Sequence, residues 1–414
     1  MNVRRSAAAL AATAVIGLAT PVLAGPAVAA TPSPSPSVEL PSGLYGSGDP
    51  TYDGVWRHSL ALIAQTRVGV APSAKAVDWL LGQQCANGGF AAFRADPAKE
   101  CDAKLMVDTN STAAAAQALA GLGDGKYMGQ AQNAAQWLKS VQNKDGGWGY
   151  TPGGASDANS TAIVAGALAA TGQDPDTIVT GGKSAFDALR TLALPCDDGG
   201  AFAYQPDKKG KLVANADATA AAVVGLKGMA LNSVMAASDQ ALTCTDGTKA
   251  TPAQVAANGA AYLAETMKKS GYLVSAMPGA EDQPDFGNTA DAVVALAATG
   301  GPEAAAKPLA WLEKNSTDWA KENGPAAYAQ LILAADTAGA DPRDFGGVNL
   351  VEQLNATGPA PKAQAAAQGA EAEKKDEKKD DNDGVSVWWI IGVGLVGGIG
   401  VGFLISSRKK GQRK

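Results

Sequence analysis

The chain has 414 residues, 46% of them hydrophobic and only 18% charged, and its 49 glycines exceed the ordinary share of about 7%. Setting aside about 30 residues at the start and about 56 at the end leaves about 325, enough for one large core, so disorder throughout is excluded. The formal net charge is −6; the ends carry +2 and +5, so residues 6 to 407 carry −13. That body lacks the Lys/Arg clusters that neutralise nucleic-acid phosphates, and it opposes unaided binding of a diphosphate.

Residues 1–30 carry Arg4 and Arg5, then an apolar Ala/Val/Leu run, then Ala27-Val28-Ala29 before Thr31. This is the pattern of a secretory signal peptide. The stretch after the arginine pair lacks the large apolar residues of a twin-arginine signal, which favours general secretion. Residues 31–44, opening with TPSPSPS, read as a Pro/Ser-rich linker.

From 45 to 355 one pattern recurs: an amphipathic helix, a Gly-Gly-aromatic turn, a polar Asp/Asn/Ser/Thr group, then an Ala-rich helix. Residues 74–84 lead into Asn87-Gly88-Gly89-Phe90, residues 134–142 into Asp145-Gly146-Gly147-Trp148, and residues 184–193 into Asp198-Gly199-Gly200-Ala201-Phe202. Two further copies, at 252–268 and 303–314, have drifted turns. The lead helices are apolar on one face, as with Val255, Gly259, Tyr262, Leu263 and Met267, and are expected outside. The Ala-rich helices follow N-capping residues and are apolar nearly all round, which predicts burial. Six inner helices beginning near 53, 110, 159, 217, 288 and 326 would alternate with six outer ones beginning near 73, 131, 183, 252, 303 and 347. This is an all-α architecture of six hairpins closed into a double ring.

Four cysteines, Cys85, Cys101, Cys196 and Cys244, suit two disulfides in an exported chain. Three pairings are open; Cys85 with Cys101 and Cys196 with Cys244 is preferred because each then closes one inter-helix excursion. Without a CxxC pair or a second histidine beside His58, no metal site and no cofactor are expected. After the repeats, residues 356–384 read as a charged low-complexity stalk. Residues 385–405 carry no formal charge and are long enough to span a bilayer of about 30 Å. The basic tail 406–414 places the C-terminus in the cytoplasm and the repeats outside. Leu354-Asn355-Ala356-Thr357-Gly358 is similar to a sortase signal, but its second residue and its distance from the apolar segment disfavour wall attachment.

Leu138-x3-Gln142-x3-Gly146-x-Trp148, and Leu80-x3-Gln84-x3-Gly88-x-Phe90 with Phe for Trp, resemble the glutamine/tryptophan repeat of the squalene cyclase and protein prenyltransferase superfamily. The resemblance implies an α6/α6 toroid, followed here by a separate C-terminal transmembrane helix. It also implies a bracing role for Gln142 and Trp148. Class II terpene cyclases of this superfamily protonate an olefin with the middle acid of Asp-x-Asp-Asp-Thr-Ala. The corresponding segments here are Asp108-Thr109-Asn110-Ser111-Thr112-Ala113, Asp157-Ala158-Asn159-Ser160-Thr161-Ala162 and Asn215-Ala216-Asp217-Ala218-Thr219-Ala220. None keeps three carboxylates, and only Asp217 holds the acid position. The Asp/Cys/His zinc site of protein prenyltransferases and the Cys-Gly-Glu-Gln of thioester domains are missing. The chain more distantly resembles secreted cobalamin carriers of the intrinsic factor type, which hold a ligand over the mouth of such a barrel.

The inner-helix N-termini gather at one mouth, where amides and dipoles favour polar ligand atoms. Its expected lining is Asp108, Asn110, Asp157, Asn159, Asn215, Asp217, Asn288 and Asp291, with Phe90, Phe93, Tyr150, Tyr204 and Phe286 on adjacent loops. The expected function is non-catalytic: a membrane-anchored surface toroid that binds a small molecule or a surface protein and feeds an uptake system, with a cobalamin-like ligand as one version. The alternative is an extracellular cyclase, lyase or hydrolase using Asp217, Asp157 and Asp108 as its carboxylates.

Overall fold

The computed structural model describes residues 40–123, 125–233, 241–247, 250–275 and 283–362. The signal peptide expected at 1–30, the linker up to residue 39, the stalk beyond 362, the membrane span at 385–405 and the tail at 406–414 lie outside the described residues. Among the described residues no helix is long and apolar enough to cross a membrane.

In chain order the helices are α1 (Pro50–Arg67), α2 (Ala74–Gln83), α3 (Thr109–Gly121), α4 (Met128–Ser140), α5 (Ala158–Ala170), α6 (Ala185–Thr191), α7 (Ala216–Leu226), α8 (Pro252–Met267), α9 (Phe286–Asn315), α10 (Thr317–Asn323), α11 (Pro325–Thr337) and α12 (Leu350–Asn355). The odd-numbered helices form the inner ring: α1 packs on α3, α3 on α5, α5 on α7, α7 on α9, α9 on α11, and α11 returns to α1. Arg67 Nε donates to Asp336 Oδ2 at 2.9 Å across that last seam. The partners α2, α4, α6, α8 and α12 pack against α1, α3, α5, α7 and α11. The fifth outer helix is the second half of α9, set off from the inner half by the non-helical Gly301, so the outer helix expected near 303 is present. The short α10 has no counterpart in the sequence reading.

Small side chains explain the close packing. In α3 the run Ala113–Ala116 is fully buried, and burial on every side fits a helix walled by two inner neighbours and an outer one. On α8 a Cβ at Gly259 would stand 2.8 Å from Val223 and 2.9 Å from Phe202, so only glycine permits that approach.

Three two-residue antiparallel ladders interrupt the helical pattern: β1 (Phe90–Ala91) with β2 (Val107–Asp108), β3 (Phe202–Ala203) with β4 (Ala214–Asn215), and β5 (Leu273–Val274) with β6 (Pro284–Asp285). Each sets a turn residue opposite the cap of the next inner helix. A threonine one turn into each helix then fixes the joint. Thr112, Thr161, Thr219 and Thr289 accept from the backbone N–H of Phe90, Trp148, Phe202 and Leu273 at 2.9, 3.1, 2.9 and 3.0 Å.

The repeat glutamines join neighbouring hairpins. Gln142 Nε2 donates to Gly146 O (2.8 Å) and Ile178 O (3.1 Å), and Gln84 Nε2 donates to Gly88 O (3.0 Å) and Gln130 O (2.9 Å). Trp148 is wholly buried and its indole N–H donates to Leu138 O at 2.8 Å. Gly146 turns the chain at φ +86°, where a Cβ would collide with Ser184 O. The disulfides are Cys85–Cys101 and Cys196–Cys244, the preferred pairing.

The segment before α1 and the one after α12 are clasped together. Gly46 N–H donates to Thr357 O (2.8 Å), the buried Tyr45 hydroxyl to Pro359 O (2.9 Å), and Gln65 Nε2 to Asn355 Oδ1 (2.7 Å). The sortase-like Leu354–Gly358 is therefore the end of a helix built into this clasp, with Leu354 and Asn355 buried, and it is not presented as an extended peptide.

Trp148→Ala should destabilise the protein by about 3–5 kcal/mol, the usual cost of emptying a buried aromatic site. Gln142→Ala should cost less, about 1–3 kcal/mol, for the bonds it leaves unmade. Urea unfolding followed by circular dichroism checks both.

Candidate functional site

A cavity of about 240 Å³ runs along the axis of the ring, and all six inner helices line it. Its first tier, near the helix N-termini, is Trp56, Asn110, Asn159, Asp217, Asp291 and Gln330. Deeper walls are apolar: Leu60, Ala162, Ile163, Ala220, Val224, Val294 and Leu333. At the far end stand Met229 and Leu231, from the loop after α7. Gln117 on α3 fixes that loop, accepting from Leu231 N–H at Oε1 (2.8 Å) while its own carbonyl accepts from Asn232 Nδ2 (3.0 Å).

Helix geometry explains why the polar tier faces inward. The first residue of each polar group caps its helix. Asp108, Asp157, Asn215 and Asp285 each accept, through Oδ1, from the backbone N–H three residues on, at 2.7, 2.7, 2.8 and 3.0 Å. Two residues beyond the cap is about 200° round the helix. Asn110, Asn159 and Asp217 hold that position and line the cavity. On α9 it is Gly287, and Asp291 one turn deeper supplies the polar group.

The two axial carboxylates are held by amides. Asn159 Nδ2 donates to Asp217 Oδ2 at 2.8 Å, and Gln330 Nε2 donates to both oxygens of Asp291 at 3.3 and 3.2 Å. Burial pushes Asp291 up to about 7, helped by the charges of Asp217 and Asp285 and opposed by Gln330. Burial also raises Asp217, with the charge of Asp285 adding to it and the Asn159 bond opposing it. No Lys, Arg or His is among the described residues that line the cavity.

The other expected site residues lie elsewhere. Asp108 and Asp157 are buried caps beside the rim: burial lifts Asp108 to about 6 and also raises Asp157, which takes a hydrogen bond from the Tyr204 hydroxyl. Asn215 caps α7, and Asn288 Nδ2 donates to Asp285 Oδ2 at 2.8 Å. Phe90 is fully buried in the barrel wall, and Phe286 stacks on Trp311 and Trp319 with ring centroids 5.0 and 5.6 Å away. Phe93 is partly buried, near Gly54 of α1. Tyr150 and Tyr204 are about half exposed at the rim, where their carbonyls accept from the N–H groups of Thr109 and Ala158, both at 3.0 Å. Asn110, Asn159, Asp217 and Asp291 are thus the expected residues that meet. Trp56, Gln117 and Gln330 were not anticipated. Only a helical register carried onto α1 and α11, which lack the repeated polar group, would have shown Trp56 and Gln330.

His58 lies wholly buried in α1, its Nε2 2.9 Å from Ala76 O, and burial holds it down at about 3, so it is neutral. Among the described residues no group of three or more His, Cys, Asp or Glu is arranged to hold a metal ion.

Residues 56–210 match the family model of the prenyltransferase alpha-alpha toroid domain. The matched residues make up a little over a third of the chain and take in the first hairpins of the ring. Over 79 residues the chain is 42% identical to the drimenyl diphosphate synthase of Streptantibioticus cattleyicolor, a match covering 19% of this chain and 14% of that protein. The chain therefore spans about one seventh of that relative's length. Among solved structures, a sugar epimerase from a ruminal bacterium shares 15% identity, covering 73% of this chain and 93% of that one with a TM-score of 0.46. A protein from Actinoplanes shares 14%, covering 68% and 100% with a TM-score of 0.32.

The toroid's axial acids link pH to stability. Asp291 titrates higher in the fold than in the unfolded chain, so folding favours its protonated form. That stabilisation is full below the ordinary carboxylate value of about 3.9 and is lost as pH rises through about 7. Asp291→Asn should remove this dependence, raising Tm at pH 8 by about 2 °C or more while changing it little at pH 4. Calorimetric scans of both proteins across this range check the sign.

Proposed function

We propose that this toroid is a cell-surface protein, exported by residues 1–30 and tethered through 385–405, that captures a small ligand in its axial cavity without transforming it. The observation that carries the reading is the make-up of that cavity: a tier of amides and carboxyls above an apolar wall, with no cationic side chain lining it among the described residues. A few polar groups converging on an apolar concavity is the usual form of a small-molecule site. At about 240 Å³ the cavity lies just below the roughly 300–1,000 Å³ of drug-sized sites, so the ligand is small and a corrinoid has no room in it. With no cationic side chain among the described lining residues, nothing in the cavity offsets the charge of a diphosphate, which argues against one there.

A second reading has its own support. Asp217 stands at the acid position of the cyclase-like segment, Asp291 keeps a proton near neutral pH, and part of the chain is similar to a drimenyl diphosphate synthase. In that reading a protonated axial carboxyl acts as general acid toward an uncharged polyprenyl chain.

Two outcomes separate them. Under capture, filling the axis with Ala221→Trp abolishes ligand-induced thermal stabilisation, geranyl diphosphate stabilises neither protein, and no product forms. Under catalysis, incubation with uncharged polyprenes gives cyclised product, and Asp217→Asn lowers turnover by about 100-fold or more. Mass spectrometry of the incubations with thermal-shift assays decides between them.

A further inference from the structure

Resting on the capture reading, the cavity chemistry can be taken one step further, to the class of ligand. Asp217 and Asp291 sit on adjacent inner helices, α7 and α9, and both line the cavity. Each receives its protein hydrogen bonds from a neutral amide, never from a cation. Asp217 uses only Oδ2 in this way; among the described residues no donor reaches its Oδ1, which is not among the sealed, unpartnered atoms and so remains open to the cavity. Trp56 brings an indole to the same tier from α1. Immediately below, Leu60, Val224, Val294 and Leu333 offer hydrocarbon.

We propose that the ligand is a small organic ammonium with an apolar body, its N–H groups donating to Asp217 Oδ1 and the Asp291 carboxylate while the hydrocarbon enters the apolar tier. Each half of the site requires one part of this description. Carboxylates with free acceptor positions in a confined space are satisfied by a cationic donor, and charge-assisted bonds of this kind are the strong ones. An aromatic face within reach of an ammonium adds attraction. A bare divalent cation fits poorly, because it needs six or more oxygen ligands and two carboxylates with an apolar floor do not provide them. A neutral or anionic ligand would leave the carboxylates without a counter-charge.

Binding is coupled to protons. The titratable groups that act on the pair are Asp285 at the head of α9 and Tyr204 at the rim, while the polar side chains that α3, α5 and α11 bring to the cavity are all amides and α1 brings Trp56 and Leu60. A cation between the two acids displaces the proton that they retain when the cavity lacks a counter-charge. Affinity therefore rises as pH increases from 5 to 8, and binding near pH 7 releases protons to buffer.

The test is calorimetric titration of the full-length chain with three probes of matched size: phenethylammonium, 2-phenylethanol and 3-phenylpropanoate. The expected result is saturable phenethylammonium binding at least about tenfold tighter than that of 2-phenylethanol, with no binding of the anion, since a charge-assisted bond contributes roughly 1.5–3 kcal/mol. Asp217→Asn and Asp291→Asn, near-isosteric changes whose folding is checked by thermal unfolding, should each weaken the ammonium about tenfold or more and leave the alcohol within about threefold. Leu333→Trp, which fills the apolar tier, should abolish both. Equal affinity for ammonium and alcohol overturns the ammonium assignment and leaves the cavity reading standing. Saturable binding of neither probe overturns both. An ammonium affinity independent of pH, or unchanged in the two Asn variants, overturns the assignment as well.

Discussion

Ring closure is the constraint on which everything else in this molecule depends. Six helices can surround a common axis only if each approaches two neighbours and an outer partner at once, and side chains larger than alanine along those seams would force them apart. The alanines at 113–116, those at 290, 292, 295, 297 and 298, and the glycine at 259 meet that requirement. The axis left over is narrow, so its character is set by two to four residues from each helix. Desolvation of the two acids in this bore destabilises the fold at neutral pH, and the amides of Asn159 and Gln330 offset only part of it.

The polar group that opens each inner helix divides its labour by position. The first residue ties off backbone N–H groups, the fifth, always threonine in the four copies, receives an N–H from the preceding turn, and only the third addresses the axis. A segment that looks like a degraded catalytic motif is therefore mostly a joint. What has changed at the axis is the third position, amide in two copies, carboxyl in one and glycine in the last. That pattern leaves the ring intact while altering what it can hold, since the joints do not depend on the axial side chain.

Much of this was legible in the residues. The alternation of one-sided and all-round apolar helices gave the inner and outer sets, because burial on every side leaves no polar face to find. The preferred cysteine pairing, chosen among three because each bridge closes one excursion, is the one found, and the bracing role of Gln142 and Trp148 came from the resemblance to the glutamine/tryptophan repeat. The lining of the axis was harder to see. Asp108 and Asp157 look the same in sequence as Asp217, and the difference is a rotation of about 200° that sends a cap to the wall and its neighbour to the bore. Phe286, expected on a loop beside the mouth, opens α9, and its stacking partners Trp311 and Trp319 come from the outer half of α9 and from α10, a helix that no periodicity announced. Trp56 and Gln330 were missed because their helices open without the repeated polar group.

The clasp between the two ends of the ring has a consequence of its own. Gly46 and Thr357 are hydrogen-bonded neighbours, and Tyr45 reaches Pro359, so the ring begins where it stops. Topologically the toroid then has no privileged first hairpin. A gene rearranged to join these ends and reopen at any exposed connection, such as the turn around Gly153, would encode the same circle of staves in a different order.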